Sequence, residues 1–293
     1  MERAKTFEKK LNQRERSSLA IRDAEVAFLE DSGNADSYFA YRKAVGVALK
    51  LHPTDVWFWI QRGLADEASP FTNGQAGGVD TLAFYKTALA LAPDNLPALH
   101  YYAHTCESTG RAKDALDLTA TYARLAPAIP HAHHMHSHEL LRTGRTEEAI
   151  AEFQATKELE DTYYRVEKIP AQYDWHHAHN LQLLALAFQS LGQVKSAARL
   201  LQQAFASPAY TEFLEYNRRA RPEFSLNRGR PDEALAASRE LTQSPWPMAR
   251  LAGHALAGQS LVALNRRLSQ PRSPRTVPSR RHDALFAIHR RLL

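Results

Sequence analysis

Two segments of this chain repeat one pattern at a distance of 34 residues. HYYAHTCESTGRAKDAL begins at His100, and HMHSHELLRTGRTEEAI begins at His134. In each copy a glycine, Gly110 or Gly144, separates two runs whose apolar residues recur at helical spacing. Such a copy predicts two helices joined by a tight turn. Because one helix pair cannot bury its apolar face alone, the repeat requires a stack of similar units and constrains the fold more than any other feature.

Weaker copies extend this pattern on both sides. Four glycines are each followed five residues later by an alanine, whose small side chain lets two helices approach closely. The alanines are Ala115, Ala149, Ala197 and Ala234. No strand-like alternation is sustained, so we predict an all-α fold.

The predicted organisation has three parts. Residues 1–33 form a charged helix, with a single helical run over 6–31. Residues 34–265 form about six helix pairs, with insertions at 69–78 and 162–172. Pro222 falls inside a first helix and should kink it. Residues 266–293 are rich in Arg, Pro and Ser and are expected to be disordered.

The period, the EAI, EAL and DAL tripeptides after the turns, and the LAP and LHP helix endings resemble the tetratricopeptide repeat family over roughly residues 20–265. The resemblance implies an α-solenoid, a right-handed superhelix whose first helices line a concave groove. It also implies that a peptide or protein partner binds in that groove. The segments HAHHMHSH and DWHHAHN look like a bacterial subgroup with histidine-rich first helices.

The charge is unevenly distributed along the chain. The formal net charge is +5, but residues 266–293 contain eight Arg and one Asp and carry +7. The remaining residues 1–265 therefore carry −2. A body that is not basic has little electrostatic attraction for nucleic acid, so we expect no nucleic-acid partner.

Several features favour a cytoplasmic location. Cys106 is the single cysteine, so a disulfide framework within the chain is excluded. The first sixteen residues are charged and lack the apolar core of a signal peptide. No apolar run is long enough to span a bilayer, and we expect a soluble protein with no membrane partner.

The resemblance also implies which side chains line the groove, among them the second, fifth, ninth and twelfth positions of each first helix. Histidines and carboxylates fill many of these positions. They are His131 and His179 at the second, His100 and His134 at the fifth, His104 and His138 at the ninth, and Glu107 and Glu67 at the twelfth. Further along, Tyr216, Arg219 and Glu223 take the second, fifth and ninth positions. His133 and His136 face away and are expected to be solvated.

Histidines four residues apart lie one above the other on a helix, so two imidazoles can bind one ion. Two such pairs occur, His100 with His104 and His134 with His138. If the two helices pack about 8–10 Å apart, the pairs offer three or four ligands to a transition metal. Zn, Fe, Mn and Cu all suit such ligands.

Three functions are compatible with this groove. The first is a scaffold that binds its ligand or partner through a transition-metal ion. The second is a metal-dependent hydrolase or oxidoreductase, in which Glu107 or Glu67 acts as general base on a metal-bound water. The third is a metal-free adaptor whose histidines simply hydrogen-bond a peptide or an anionic ligand.

Overall fold

The computed structural model describes residues 2–31, 33–67, 78–206 and 208–269. These residues form helices and turns and contain no strand, which confirms the predicted all-α fold. The chain divides into two compact units, Met1–Glu152 and Phe153–Leu293, and the division falls within one helix.

The first unit consists of consecutive helices. The bounds are α1 Glu2–Lys5, α2 Gln13–Glu30, α3 Ala35–Leu51, α4 Val56–Glu67, α5 Val79–Leu91, α6 Leu96–Ser108, α7 Ala112–Leu125 and α8 Pro130–Arg142. Helix α9, Thr146–Glu167, begins in this unit and ends in the second.

The second unit continues with the same kind of helix and turn. A 3₁₀ turn at Ala171–Tyr173 precedes its next helix. The bounds are α10 Trp175–Ser190, α11 Val194–Ala204, α12 Glu212–Asn217, α13 Ala220–Asn227, α14 Pro231–Thr242 and α15 Pro247–Ser269.

The turn glycines adopt the conformation that ends a helix. Gly110, Gly144, Gly192 and Gly229 have φ values of 72°, 84°, 72° and 67°. This left-handed region is unfavourable for residues with a Cβ atom, which explains why glycine recurs between the helices of a pair.

Small side chains hold the second helix of each pair close to the first. The alanines that follow these glycines by five residues, Ala115, Ala149, Ala197 and Ala234, are all 0% exposed. In the first unit the core between the helices is filled by large side chains such as Tyr85, Leu99 and Met135, all fully buried.

Several helix ends differ from the predictions. The run predicted over 6–31 contains a 3₁₀ turn at Glu8–Lys10, and α2 begins only at Gln13 because Asn12 and Glu15 form a capping box there. Much of the insertion predicted at 162–172 is helical, since α9 continues to Glu167.

The kink predicted at Pro222 is a break before that residue. Helix α12 ends at Asn217 and α13 begins at Ala220. Pro222 thus lies in the first turn of α13, where a missing backbone N–H is tolerated. Most of the predicted 69–78 insertion and most of the predicted tail, from residue 270 onward, fall outside the described residues.

None of the helices that the structure describes combines the length and apolar character needed to cross a bilayer.

We predict that Gly63→Ala destabilises the first unit. A Cβ atom at Gly63 would lie 2.6 Å from the Tyr85 hydroxyl oxygen and closer still to its ring. Tyr85 is 0% exposed and its hydroxyl donates to Glu67 Oε1 at 2.7 Å, so the ring cannot easily move. We expect the free energy of unfolding to fall by about 1–3 kcal/mol, measured by urea denaturation.

Gly46→Ala is the matched control for this prediction. Gly46 lies in α3, and the nearest atom to an added Cβ is the flexible Arg62 Nη1 at 3.8 Å. There alanine should raise stability by roughly 0.5–1 kcal/mol. Equal urea midpoints for the two variants would contradict the proposed close contact.

Candidate functional site

Helices α6 and α8 lie side by side in the first unit, and each presents histidines to the other. His100 Nε2 lies 2.8 Å from His131 Nε2, and Glu107 Oε1 lies 2.5 Å from His138 Nδ1. Both contacts join residues 31 positions apart, about one helical turn less than the 34-residue period. In both contacts the partner lies three residues before the equivalent repeat position.

Three of these histidines form a set that suits a metal ion. One ring nitrogen from each of His100, His104 and His131 lies within 4.8 Å of the others. The ring centres of His100 and His104 are 4.6 Å apart, and those of His100 and His131 are 4.8 Å apart. All three side chains are half-buried. His131, predicted only to line the groove, thus joins two of the predicted metal ligands.

His134 and His138 form a separate pair on α8. Their Nε2 atoms are 2.9 Å apart, and the ring centres are 4.5 Å apart. His134 is only 2% exposed, whereas His138 is half-buried. The sequence predicted one site from both i, i+4 pairs, but in the structure His100 and His104 approach His131 instead.

Glu107 lies at the end of this histidine cluster and is held as a carboxylate. His138 Nδ1 and the Arg142 guanidinium, at 3.0 Å from Nε and 2.6 Å from Nη2, both contact its Oε1. Burial raises the pKa of Glu107, but the charges and hydrogen bonds of His138 and Arg142 outweigh it and leave the pKa well below its usual value. A carboxylate with a low pKa is a weak general base.

The second predicted base, Glu67, is buried within the first unit. It accepts hydrogen bonds from the Tyr85 hydroxyl at 2.7 Å and from Thr105 Oγ1 at 3.3 Å. Burial raises its pKa to about 7, and the two hydrogen bonds oppose that rise. Its pKa would suit a base, but these bonds hold the carboxyl among core side chains.

The remaining predicted groove residues belong to the second unit. His179 packs beside Trp175 and Phe213, with ring centres 6.2 Å and 5.6 Å away. The Arg219 guanidinium lies 4.6 Å from the centre of the Tyr216 ring, and Nη1 donates to Glu223 Oε1 at 2.7 Å. Arg219 thus contacts both Tyr216 and Glu223.

His133 and His136 are not simply solvated as predicted. His133 Nδ1 lies 2.7 Å from Glu152 Oε2, and its Nε2 lies 3.1 Å from the Pro127 carbonyl. His136 is half-buried, with Nδ1 3.1 Å from Thr119 Oγ1, and burial lowers its pKa. Both rings are fixed by the helices that pack against α8.

Sequence reasoning missed two buried carboxyl groups. Glu160 is 3% exposed, and its two oxygens lie 2.7 Å and 2.8 Å from the Nδ1 atoms of His176 and His177. Burial raises the pKa of Glu160, but these two histidines bring it below its usual value. The 16- and 17-residue separations match no short motif, so only the adjacent Asp174-Trp-His-His segment hinted at this site.

Glu139 is the other missed group. It is 0% exposed, and neither side-chain oxygen has a hydrogen-bond partner among the described residues. Burial, and secondarily the charge of Glu107, raise its pKa to about 8. At neutral pH this carboxyl therefore carries a proton.

We predict that Glu139→Gln flattens the pH dependence of stability. The unfolded carboxyl loses its proton near pH 4.5, whereas the folded one holds it until about pH 8. As pH rises through this window the wild-type protein should lose stability, by up to about 1.4 kcal/mol per pH unit. Gln mimics the protonated acid, so the variant should match wild type near pH 5 and exceed it above pH 8.

The measurement is thermal unfolding from pH 5 to pH 9 with EDTA present. Glu147→Gln, at an exposed position on α9, is the control and should follow the wild-type profile. Parallel profiles for Glu139→Gln and wild type would refute the assignment of a buried protonated acid.

No protein-family model and no curated protein matches this sequence. Solved structures do resemble it. PilW, a widely conserved type IV pilus biogenesis factor, is 14% identical with a TM-score of 0.59, over 82% of this chain and 99% of PilW. The human IFIT1 dimer with PPP-AAAA is 13% identical with a TM-score of 0.59, over 88% of this chain.

Yeast Tom70 is 17% identical with a TM-score of 0.52, over 81% of this chain. The chain spans only 45% of the Tom70 chain and 62% of the IFIT1 chain. At these identities the likeness shows the fold alone. The chain has the tetratricopeptide repeat fold, an all-α solenoid of helix pairs, as its sequence predicted.

Proposed function

We propose that the first unit binds a transition-metal ion through His100, His104 and His131, and that this ion holds a ligand or protein partner on the repeat scaffold. The observation that carries this proposal is the approach of three ring nitrogens, from two adjacent helices, to within 4.8 Å of one another. Imidazole nitrogens are good ligands for Zn, Cu, Fe and Ni.

The distances need only small adjustments to suit a metal. Two nitrogens bound to a tetrahedral zinc at about 2.0–2.1 Å each are separated by roughly 3.3 Å. The Nε2 atoms of His100 and His131 are 2.8 Å apart, slightly less than this nitrogen–nitrogen distance. The other nitrogen–nitrogen distances among the three histidines are at most 4.8 Å, a limit longer than this distance. Modest side-chain rotations bring all three nitrogens to ligand distance.

The hydrogen bond between His100 and His131 also supports the proposal. Two Nε2 atoms at 2.8 Å share one proton, so one ring donates and the other accepts. An ion at this point replaces that proton and binds both nitrogens, and the proton passes to solvent. The half-buried rings remain accessible, and three protein ligands leave a position open for an external ligand.

Binding accounts for the site better than catalysis does. A metal-dependent hydrolase or oxidoreductase would need a free base beside the open position. Glu107 is instead engaged by His138 and Arg142 and has a low pKa. It suits a different role, because carboxylates commonly orient imidazoles that bind metals.

The repeat fold favours a peptide or protein as the occupant of the site. Solenoids present extended surfaces to their partners, and a metal with an open position adds a strong point of attachment for a donor side chain. A metal-free adaptor would use the same surface with hydrogen bonds alone, so metal content separates the two possibilities.

We predict that tag-free protein binds a transition metal and is stabilised by it. A free metal concentration of 100 times the dissociation constant adds about 2.7 kcal/mol to the free energy of unfolding. For a domain of this size that corresponds to roughly 5–10 °C in melting temperature. Inductively coupled plasma analysis and thermal unfolding with zinc or EDTA measure both effects.

His100→Ala and His131→Ala should remove this metal and its thermal shift. His254→Ala, at an exposed position on α15, should retain both. If wild-type protein takes up no metal and EDTA leaves its melting temperature unchanged, the metal-free adaptor is the correct function.

A further inference from the structure

Five imidazoles and one carboxylate form a closed circuit on α6 and α8. The members are, in order of contact, His104, His100, His131, His134, His138 and Glu107. Successive ring centres are 4.6, 4.8, 5.6 and 4.5 Å apart. Glu107 closes the circuit, since His138 Nδ1 is 2.5 Å from its Oε1 and His104 Nδ1 is 3.9 Å from its Oε2.

We infer that this circuit is a two-metal centre. His100, His104 and His131, called the first set below, bind one metal ion, and His134 and His138 bind a second ion beside it. The inference rests on the proposed function, because it extends the site formed by His100, His104 and His131. It assigns a role to the two predicted metal ligands that the first set leaves out.

His134 and His138 have the geometry of a chelating pair. They are four residues apart on one helix, and their Nε2 atoms are 2.9 Å apart. The contact between His138 Nδ1 and the Glu107 carboxylate places a proton on Nδ1, because the carboxylate only accepts hydrogen bonds. Nε2 of His138 is then left with a lone pair aimed at His134, and a metal there replaces the proton that the pair shares.

The two groups of histidines are separated in space. His100, His104 and His131 each offer a ring nitrogen within 4.8 Å of the others, and neither His134 nor His138 belongs to that set. Two nitrogens on one ion are at most about 4.2 Å apart. His134 and His138, whose Nε2 atoms are 2.9 Å apart, therefore need an ion of their own, and it is a neighbouring one because the His131 and His134 ring centres are 5.6 Å apart.

Glu107 connects the two positions. It faces an imidazole of each set, His104 on one side and His138 on the other. Because Arg142 also contacts it, Glu107 is fixed in place and orients His138 by direct contact, while its Oε2 lies 3.9 Å from His104 Nδ1. The same carboxylate would therefore stabilise the metal-bound form of both rings, His138 through a hydrogen bond and His104 through its charge.

The test uses Cu(II) as the probe with the full-length, tag-free protein. Metal-stripped protein is dialysed against Cu(II) with glycine as a weak competing chelator, and bound copper is measured. Electron paramagnetic resonance then reports whether bound ions are close, because two neighbouring Cu(II) ions couple and give a half-field transition. We expect about two equivalents of copper and a coupled signal.

Single substitutions in each group of histidines distinguish the two metal positions. His138→Gln should lose one equivalent and the coupling but keep an isolated copper signal from the first set. His100→Gln should likewise retain a single uncoupled ion, at His134 and His138. His254→Ala should keep both ions and the coupling. Circular dichroism checks that each variant is folded, and His138→Gln avoids truncating the nearly buried His134.

The copper measurements distinguish failure of the two-metal centre from failure of the proposed function. One equivalent of uncoupled copper in wild type, lost in His100→Gln and retained in His138→Gln, overturns the two-metal centre and leaves the proposed function intact. No specific copper in wild type overturns both. Two equivalents without coupling place the second ion away from the circuit and overturn the inference.

Discussion

The close approach of the two helices in each repeat is the constraint on which the rest of the structure depends. Ala115 on α7 and Ala149 on α9 are fully buried, and Gly110 and Gly144 adopt positive φ where the chain turns before these helices. Because these contacts fix each pair, α6 and α8 come to lie side by side. The histidine cluster exists only because of that arrangement.

The same helices carry polar groups that packing alone does not explain. His134 is 2% exposed, and Glu139 is fully buried without a hydrogen-bond partner among the described residues. Burying such groups opposes folding, and apolar side chains of similar size would stabilise the core more. A repeat protein that retains them is less stable than it could be, which is typical of functional sites.

Much of the fold was predictable because local signals agreed with one another. Helical periodicity, turn glycines and small alanines all pointed to the same helix pairs, and the structure contains them. The predicted helix ends were wrong where a local feature, such as a capping residue or a proline, decided where a helix begins or ends. Asn12 caps α2 later than the periodicity suggested, α9 runs past the expected helix end to Glu167, and the chain breaks before Pro222.

The sequence by itself determined the repeat length, the all-α class and which helix faces carry histidines, because these follow from periodicity within one chain segment. Only the tertiary structure decided which histidines meet. The contacts between α6 and α8 join residues 31 apart in two cases, His100 with His131 and Glu107 with His138, and 35 apart in a third, Glu107 with Arg142. Which of these pairs meet depends on how the two helices pack and on the length of each side chain, and the 34-residue spacing of the sequence does not encode it.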